Sequence, residues 1–129
     1  MPSFLSPLLR NPTQDFRLQN ARTGTVVADR LLQAFDSVSR RTGLLKHVSL
    51  PEGCAMIIAP GSAIHTWFMK FPIDVVFVAK DGRIVKTRST LDPWRLAAAW
   101  QAYAVIELPA GTLERSATAR GDHLLVVPR

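Results

Sequence analysis

A single cysteine, Cys54, leaves this 129-residue chain without a partner for an intramolecular disulfide, so no covalent framework braces the fold. Its surroundings, Glu52-Gly53-Cys54-Ala55-Met56-Ile57-Ile58, offer no basic neighbour to lower the thiol pKa, and Cys54 reads as a small buried hydrophobe rather than a nucleophile. Long apolar runs are missing too. The longest uncharged stretch, Gly53 to Met69, falls short of the roughly 20 residues that a membrane span needs and contains Pro60, Gly61 and His65. The N-terminus lacks a basic leader region and is interrupted by Pro2 and Pro7, so no export signal is read and the cytoplasm is the expected location.

Equally absent are a nucleotide-binding glycine loop, a serine nucleophile elbow, an HExxH helix, a CxxC pair and an EF-hand loop. Most enzyme classes that a sequence can announce are thereby removed, and no cofactor or metal site is indicated. The 16 basic residues outnumber the 10 acidic ones, for a net charge of +6 and a pI of about 10.5. This balance favours acidic partners but says nothing about fold. The basic residues are scattered, the densest groups being Arg40, Arg41, Lys46 and Lys80, Arg83, Lys86, Arg88. They form no stripe interleaved with aromatics, which argues against a nucleic-acid partner.

What is present suffices for one core: 47% of residues are hydrophobic and the mean hydropathy is +0.10. Residues 1–14, with Pro2, Pro7 and Pro12 and no periodicity, predict a poorly ordered lead-in to a β-rich domain over 15–129. Phe16 to Asn20 and Thr25 to Ala28 read as a hairpin around Gly24. Asp36 is placed to cap a short helix over Ser37 to Thr42, with Gly43 at its end and Leu44 and Leu45 tucked beneath. Strands follow at Ala55–Ala59, Ile64–Met69 and Ile73–Val78, where Pro72 marks a break, and the Asp81-Gly82 turn leads to Ile84-Val85. Asp92 to Gln101 predicts an irregular or single-turn connection, Tyr103 to Leu108 a strand, Thr112 to Ala117 a short helix and His123 to Val127 a last strand. The expected fold is mainly β, a small single-domain β-sandwich or barrel-like fold of about seven or eight short strands with one or two short helices.

Candidate functional residues are polar groups inside apolar strands. Alternation along Ile64–Met69 puts His65, Trp67 and Met69 on one face. Asp74 lies between Ile73 and Val75, and Glu107 sits in an apolar run. A buried carboxylate needs hydrogen bonds or a partner, so either one facing His65 could hold a metal or act in acid–base chemistry. Each also has a structural alternative: Asp74 can accept backbone N–H bonds at the bend, Glu107 can pair with an arginine, and His65 and Trp67 can be packing residues.

The run Ile64-His65-Thr66-Trp67-Phe68-Met69-Lys70-Phe71-Pro72-Ile73-Asp74-Val75-Val76-Phe77-Val78, followed by Asp81-Gly82-Arg83-Ile84-Val85, resembles the signature of domain-of-unknown-function family 192. Arg41-Thr42-Gly43-Leu44-Leu45, Leu50-Pro51-Glu52-Gly53, Pro93-Trp94-Arg95, Val105 to Gly111 and Gly121-Asp122 resemble its flanking elements. The resemblance spans roughly residues 22–127 and implies a compact β-sandwich-like domain of small bacterial and archaeal proteins, with no activity attached. Three functions follow as expectations. The first is a non-catalytic binding or accessory module for a small molecule or protein, with a groove near His65, Trp67, Asp74 and Glu107. The second is a metal-dependent or acid–base hydrolase using His65, Asp74 and Glu107. The third is a binder of acidic partners or nucleic acid driven by net positive charge.

Overall fold

The computed structural model describes residues 3–42 and 47–129. In chain order these carry α1 (Ser6–Arg10), β1 (Phe16–Asn20), β2 (Val26–Ala28), β3 (Arg30–Ala34), α2 (Ser37–Thr42), β4 (Cys54–Ile58), β5 (Ala63–His65), β6 (Ile73–Val78), β7 (Ile84–Leu91), β8 (Leu96–Ala98), β9 (Ala104–Pro109), α3 (Thr112–Arg115) and β10 (Leu124–Pro128). A five-stranded sheet runs β3-β4-β9-β6-β7, with β3 and β4 parallel and the other pairs antiparallel. A three-stranded sheet, β10-β1-β2, and a two-stranded ribbon, β5-β8, complete the set.

The apolar runs of β6 and β9 account for this layering. Every residue of both strands is buried, which requires cover on both faces of the sheet. Alternation then divides them between two cores. Val76, Val78, Ile106 and Leu108 pack with Phe16 and Leu18 of β1, Leu124 and Val126 of β10, and Leu113 of α3. Val75, Phe77 and Val105 pack on the other side with Met56, Ile58, Met69 and Ala97. The result is a sandwich whose second face is partly covered by the β5–β8 ribbon, mainly β as expected and without barrel closure.

Several expectations change in detail. Residues 3–14 contain α1, which carries Leu5 and Leu8 into the first core, where a poorly ordered lead-in was expected. Spaced apolar residues between prolines gave too short a pattern to reveal that helix. Ten strands are present among the described residues rather than seven or eight. One of the additional ones is β3, whose outward positions carry Leu32 and Gln33; the other is β8, in the stretch expected to be irregular or a single helical turn. The expected strand Ile64–Met69 ends at His65, and residues 66–69 turn instead. Asp36 caps α2 as expected, its Oδ1 accepting from Ser39 N at 2.7 Å. The expected Gly43 stop and the packing of Leu44 and Leu45 lie outside the described residues.

Two polar clusters fasten the layers. Buried Asp122, just before β10, accepts from Arg22 Nε at 2.7 Å, Asn20 Nδ2 at 2.9 Å and Ala119 N at 2.9 Å. The Arg22 guanidinium holds this carboxyl well below the usual carboxylate range. On the other side, Thr66 Oγ1 accepts from Arg95 N at 2.8 Å and donates to Asp92 O at 2.6 Å, while Thr66 O accepts from Trp94 N and Met69 N. One side chain thus ties the 66–69 turn to the 92–95 turn.

Gly82 shows how closely the hairpin turn approaches β10. Its φ is +94°, and a Cβ there would stand 2.5 Å from Leu124 O. Gly24, with φ +72°, has open space around it. Gly82→Ala should therefore cost about 3 kcal/mol or more, against about 1 kcal/mol for Gly24→Ala, where only backbone strain is added. Denaturant unfolding of both variants measures the difference, and equal losses would show that the approach to Leu124 is not a real constraint.

Candidate functional site

The register of β6, β9 and β4 separates the two candidate carboxylates. Asp74 pairs with Leu108 and points to the first core, whereas Glu107 pairs with Val75 and Met56 and points to the second. Asp74 and Glu107 therefore occupy opposite faces of one sheet and do not meet.

Asp74 is 1% exposed and fully employed by backbone. Its Oδ1 accepts from Thr90 N at 2.8 Å, and its Oδ2 accepts from Gly111 N at 3.1 Å and Leu113 N at 2.9 Å. Those donors are the β7 backbone and the first turn of α3, two groups that a buried strand end would otherwise leave without partners. The carboxylate substitutes for a side-chain cap, which Gly111 cannot supply.

Glu107 is in the opposite situation. At 4% exposure it has no hydrogen bond and no cationic partner among the described residues. Burial pushes its carboxyl up to about 7. It lines a cavity of about 660 Å³ together with His65, Ser37, Arg40, Arg41 and Met69, and with Ile58, Pro60, Gly61, Ile64 and Phe68. The volume lies within the usual range of small-molecule sites. Helix α2 provides the two arginines, β5 provides His65, and β4 and β9 form the floor beneath them.

The mouth is aromatic. His65 stacks on Trp67 with ring centroids 4.7 Å apart, and Phe68 packs against Trp94 at 4.7 Å. Trp67, Phe68 and Trp94 are 47%, 69% and 56% exposed. Phe68 and Trp94 both have φ +66°, a left-handed conformation that costs an aromatic residue about 1–2 kcal/mol. The Thr66 cluster supplies the hydrogen bonds that hold both in place.

Of the four sequence candidates, the structure brings His65 and Glu107 to one cavity, leaves Trp67 stacked on His65 at its edge, and puts Asp74 behind the sheet. Among the described residues, no three His, Cys, Asp or Glu side chains converge as a metal-ligand set. Arg40, Arg41, Ser37 and Phe68 were not singled out as site residues. The arginine pair stood out only as a modest basic cluster, and strand alternation placed Phe68 on the face away from His65.

A mainly β sandwich with a buried carboxyl, unpaired among the described residues, at the floor of a cavity bordered by two arginines defines a small β domain with a candidate pocket. The model of the DUF192 family, described as "Uncharacterized ACR", matches residues 19–126, and the chain belongs to that family. No curated protein matches the chain. Two solved structures share the fold. A protein described as a "putative transcription regulator" from Sinorhizobium meliloti 1021 is 24% identical, with a TM-score of 0.76 over 88% of this chain and 92% of that one. A protein of unknown function from Novosphingobium aromaticivorans DSM 12444 is 22% identical, with a TM-score of 0.71 over 85% of this chain and 82% of that one.

The state of Glu107 has a consequence for stability. Below about pH 4.5 the carboxyl is protonated in both folded and unfolded chains. As pH rises further, the unfolded chain ionises first, so folding loses free energy until about pH 7, where the folded carboxyl ionises as well. The loss amounts to about 3 kcal/mol for a shift of this size. Glu107→Gln removes it, so the stability of the variant relative to the parent should rise across that window when unfolding is followed at a series of pH values. Parallel curves would mean that the carboxyl is not desolvated in the folded chain.

Proposed function

We propose that this domain is a non-catalytic binding module whose ligand enters the cavity between α2, β5 and the β4–β9 floor. The observation that carries the reading is Glu107, a nearly fully buried carboxyl directed into that cavity with no partner among the described residues. A polar group kept in such a place costs folding free energy, and a ligand that hydrogen-bonds to it recovers that loss on binding. Asp74, with both oxygens occupied by backbone donors, supports the fold and takes no part in the ligand site.

One observation favours a second reading. A carboxyl raised to about 7 that shares its cavity with a histidine is suited to general acid–base chemistry at neutral pH. Hydrolysis on this scheme uses His65 and Glu107 without Asp74.

Amide chemical shifts recorded against a fragment library distinguish these ideas. Binding at the proposed site moves Ile58, His65, Met69 and Glu107 together, leaves Gly111 and Leu113 behind the sheet unmoved, and returns the fragments intact. Fragments that are cleaved by the parent and spared by Glu107→Gln would establish the second reading. Shifts confined to surfaces away from the cavity would defeat both.

A further inference from the structure

We propose that the cavity takes a small organic anion: a carboxylate or phosphate monoester at one end of an apolar body, with the anionic group held by Arg40 and Arg41. This rests on the reading of the cavity as a ligand site and specifies what enters it.

The charges around the cavity are one-sided. Arg40 and Arg41 are the cationic residues of the lining, and Glu107 is its acidic residue. Burial raises the Glu107 carboxyl to about 7, so it is neutral at mildly acidic pH and the arginines leave net positive charge at the wall. The arginines are not neutralised by ion pairs among the described residues, where the salt bridges are Arg22–Asp122, Arg115–Glu52 and His123–Asp81. Asp36, at the start of the same helix, has both oxygens bonded to Ser39, through its backbone N at 2.7 Å and its hydroxyl at 2.9 Å, and Arg40 is the least of the causes that lower its carboxyl.

Position matters as well as charge. Arg40 Nη1 donates to Phe35 O at 2.8 Å, which fixes the guanidinium and leaves its other N–H groups for a ligand. A planar guanidinium matches the paired oxygens of a carboxylate or phosphate and binds them more strongly than neutral donors do. Besides His65 and the residues of α2, the lining includes Ile58, Ile64, Met69 and Phe68, which suits an apolar body. Glu107 at the floor offers a hydroxyl donor and a carbonyl acceptor to a neutral polar group. A cationic ligand would meet the arginines unfavourably.

Four compounds built on one phenyl ring test the assignment by calorimetry and amide shifts: phenylacetate, phenyl phosphate, phenylacetamide and 2-phenylethylamine. At least one anion should bind at the cavity residues no less than tenfold more tightly than the amide, and the amine should bind most weakly. The preferred anion shows whether carboxylate or phosphate is the better fit. The double variant Arg40→Gln/Arg41→Gln should lose that tenfold preference while keeping its binding of the amide, which also reports that the cavity is intact. Arg88→Gln, on the far edge strand β7, lowers net charge without touching the cavity and should keep the preference. Tighter binding of the amide or amine overturns the anion assignment and leaves the binding reading standing. Equal loss in Arg88→Gln overturns it too, because net charge would then explain the selectivity. If neither these compounds nor the fragment library perturbs the cavity, both proposals fail.

Discussion

Burial of β6 and β9 on both faces imposes a condition that shapes the rest of the molecule. A strand covered on one side can turn its polar residues to water, but these two have no wet side. Any polar side chain they contain must find a partner within the protein or remain without one. The pair contains two carboxylates, one on each face, and they meet the condition in opposite ways. Asp74 binds three backbone N–H groups and joins the end of β7 to the start of α3. Among the described residues Glu107 binds none; burial raises its carboxyl to about 7, and it borders open volume.

The same condition explains the unequal layers. The first core is closed by an extensive cover of β1, β2, β10, α1 and α3, pinned by the Asp122 cluster. The second is partly covered by a three-pair ribbon and by two turns tied together by Thr66. A ribbon that short cannot cover five strands, and the uncovered part is the cavity beside α2. The pocket follows from incomplete closure of one face, and its chemistry follows from which side chains border the gap.

Much of this was legible in the sequence, and the exceptions have physical causes. Apolar runs at Ile73–Val78 and Val105–Leu108, each broken by one carboxylate, the Asp81-Gly82 turn and the Asp36 cap each carry a local signal, and each element formed where that signal lay. Strand β3 was hidden because its exposed edge position needs no apolar alternation, and β8 because Leu96-Ala97-Ala98 has helix-forming composition that pairing with β5 overrides. The candidate site was half legible. Asp74 and Glu107 both announced themselves as buried carboxylates, yet which face each occupies depends on strand register, a long-range property that composition does not encode. Arg40 and Arg41 reach the site through the crossover between parallel strands β3 and β4, and no spacing rule links them to Glu107, more than sixty residues later.

Phe68 and Trp94 also bear on how relatives of this fold could diverge. Left-handed backbone is easiest for glycine and next easiest for asparagine, so aromatic side chains at these positions are held against local preference. Replacement by either residue would relieve that strain and remove part of the aromatic rim in the same step. Under the proposed binding role, stability and ligand selectivity are set in opposition at two single positions, and a lineage in which that role had lapsed would have a short route to a sturdier domain with a bare cavity mouth.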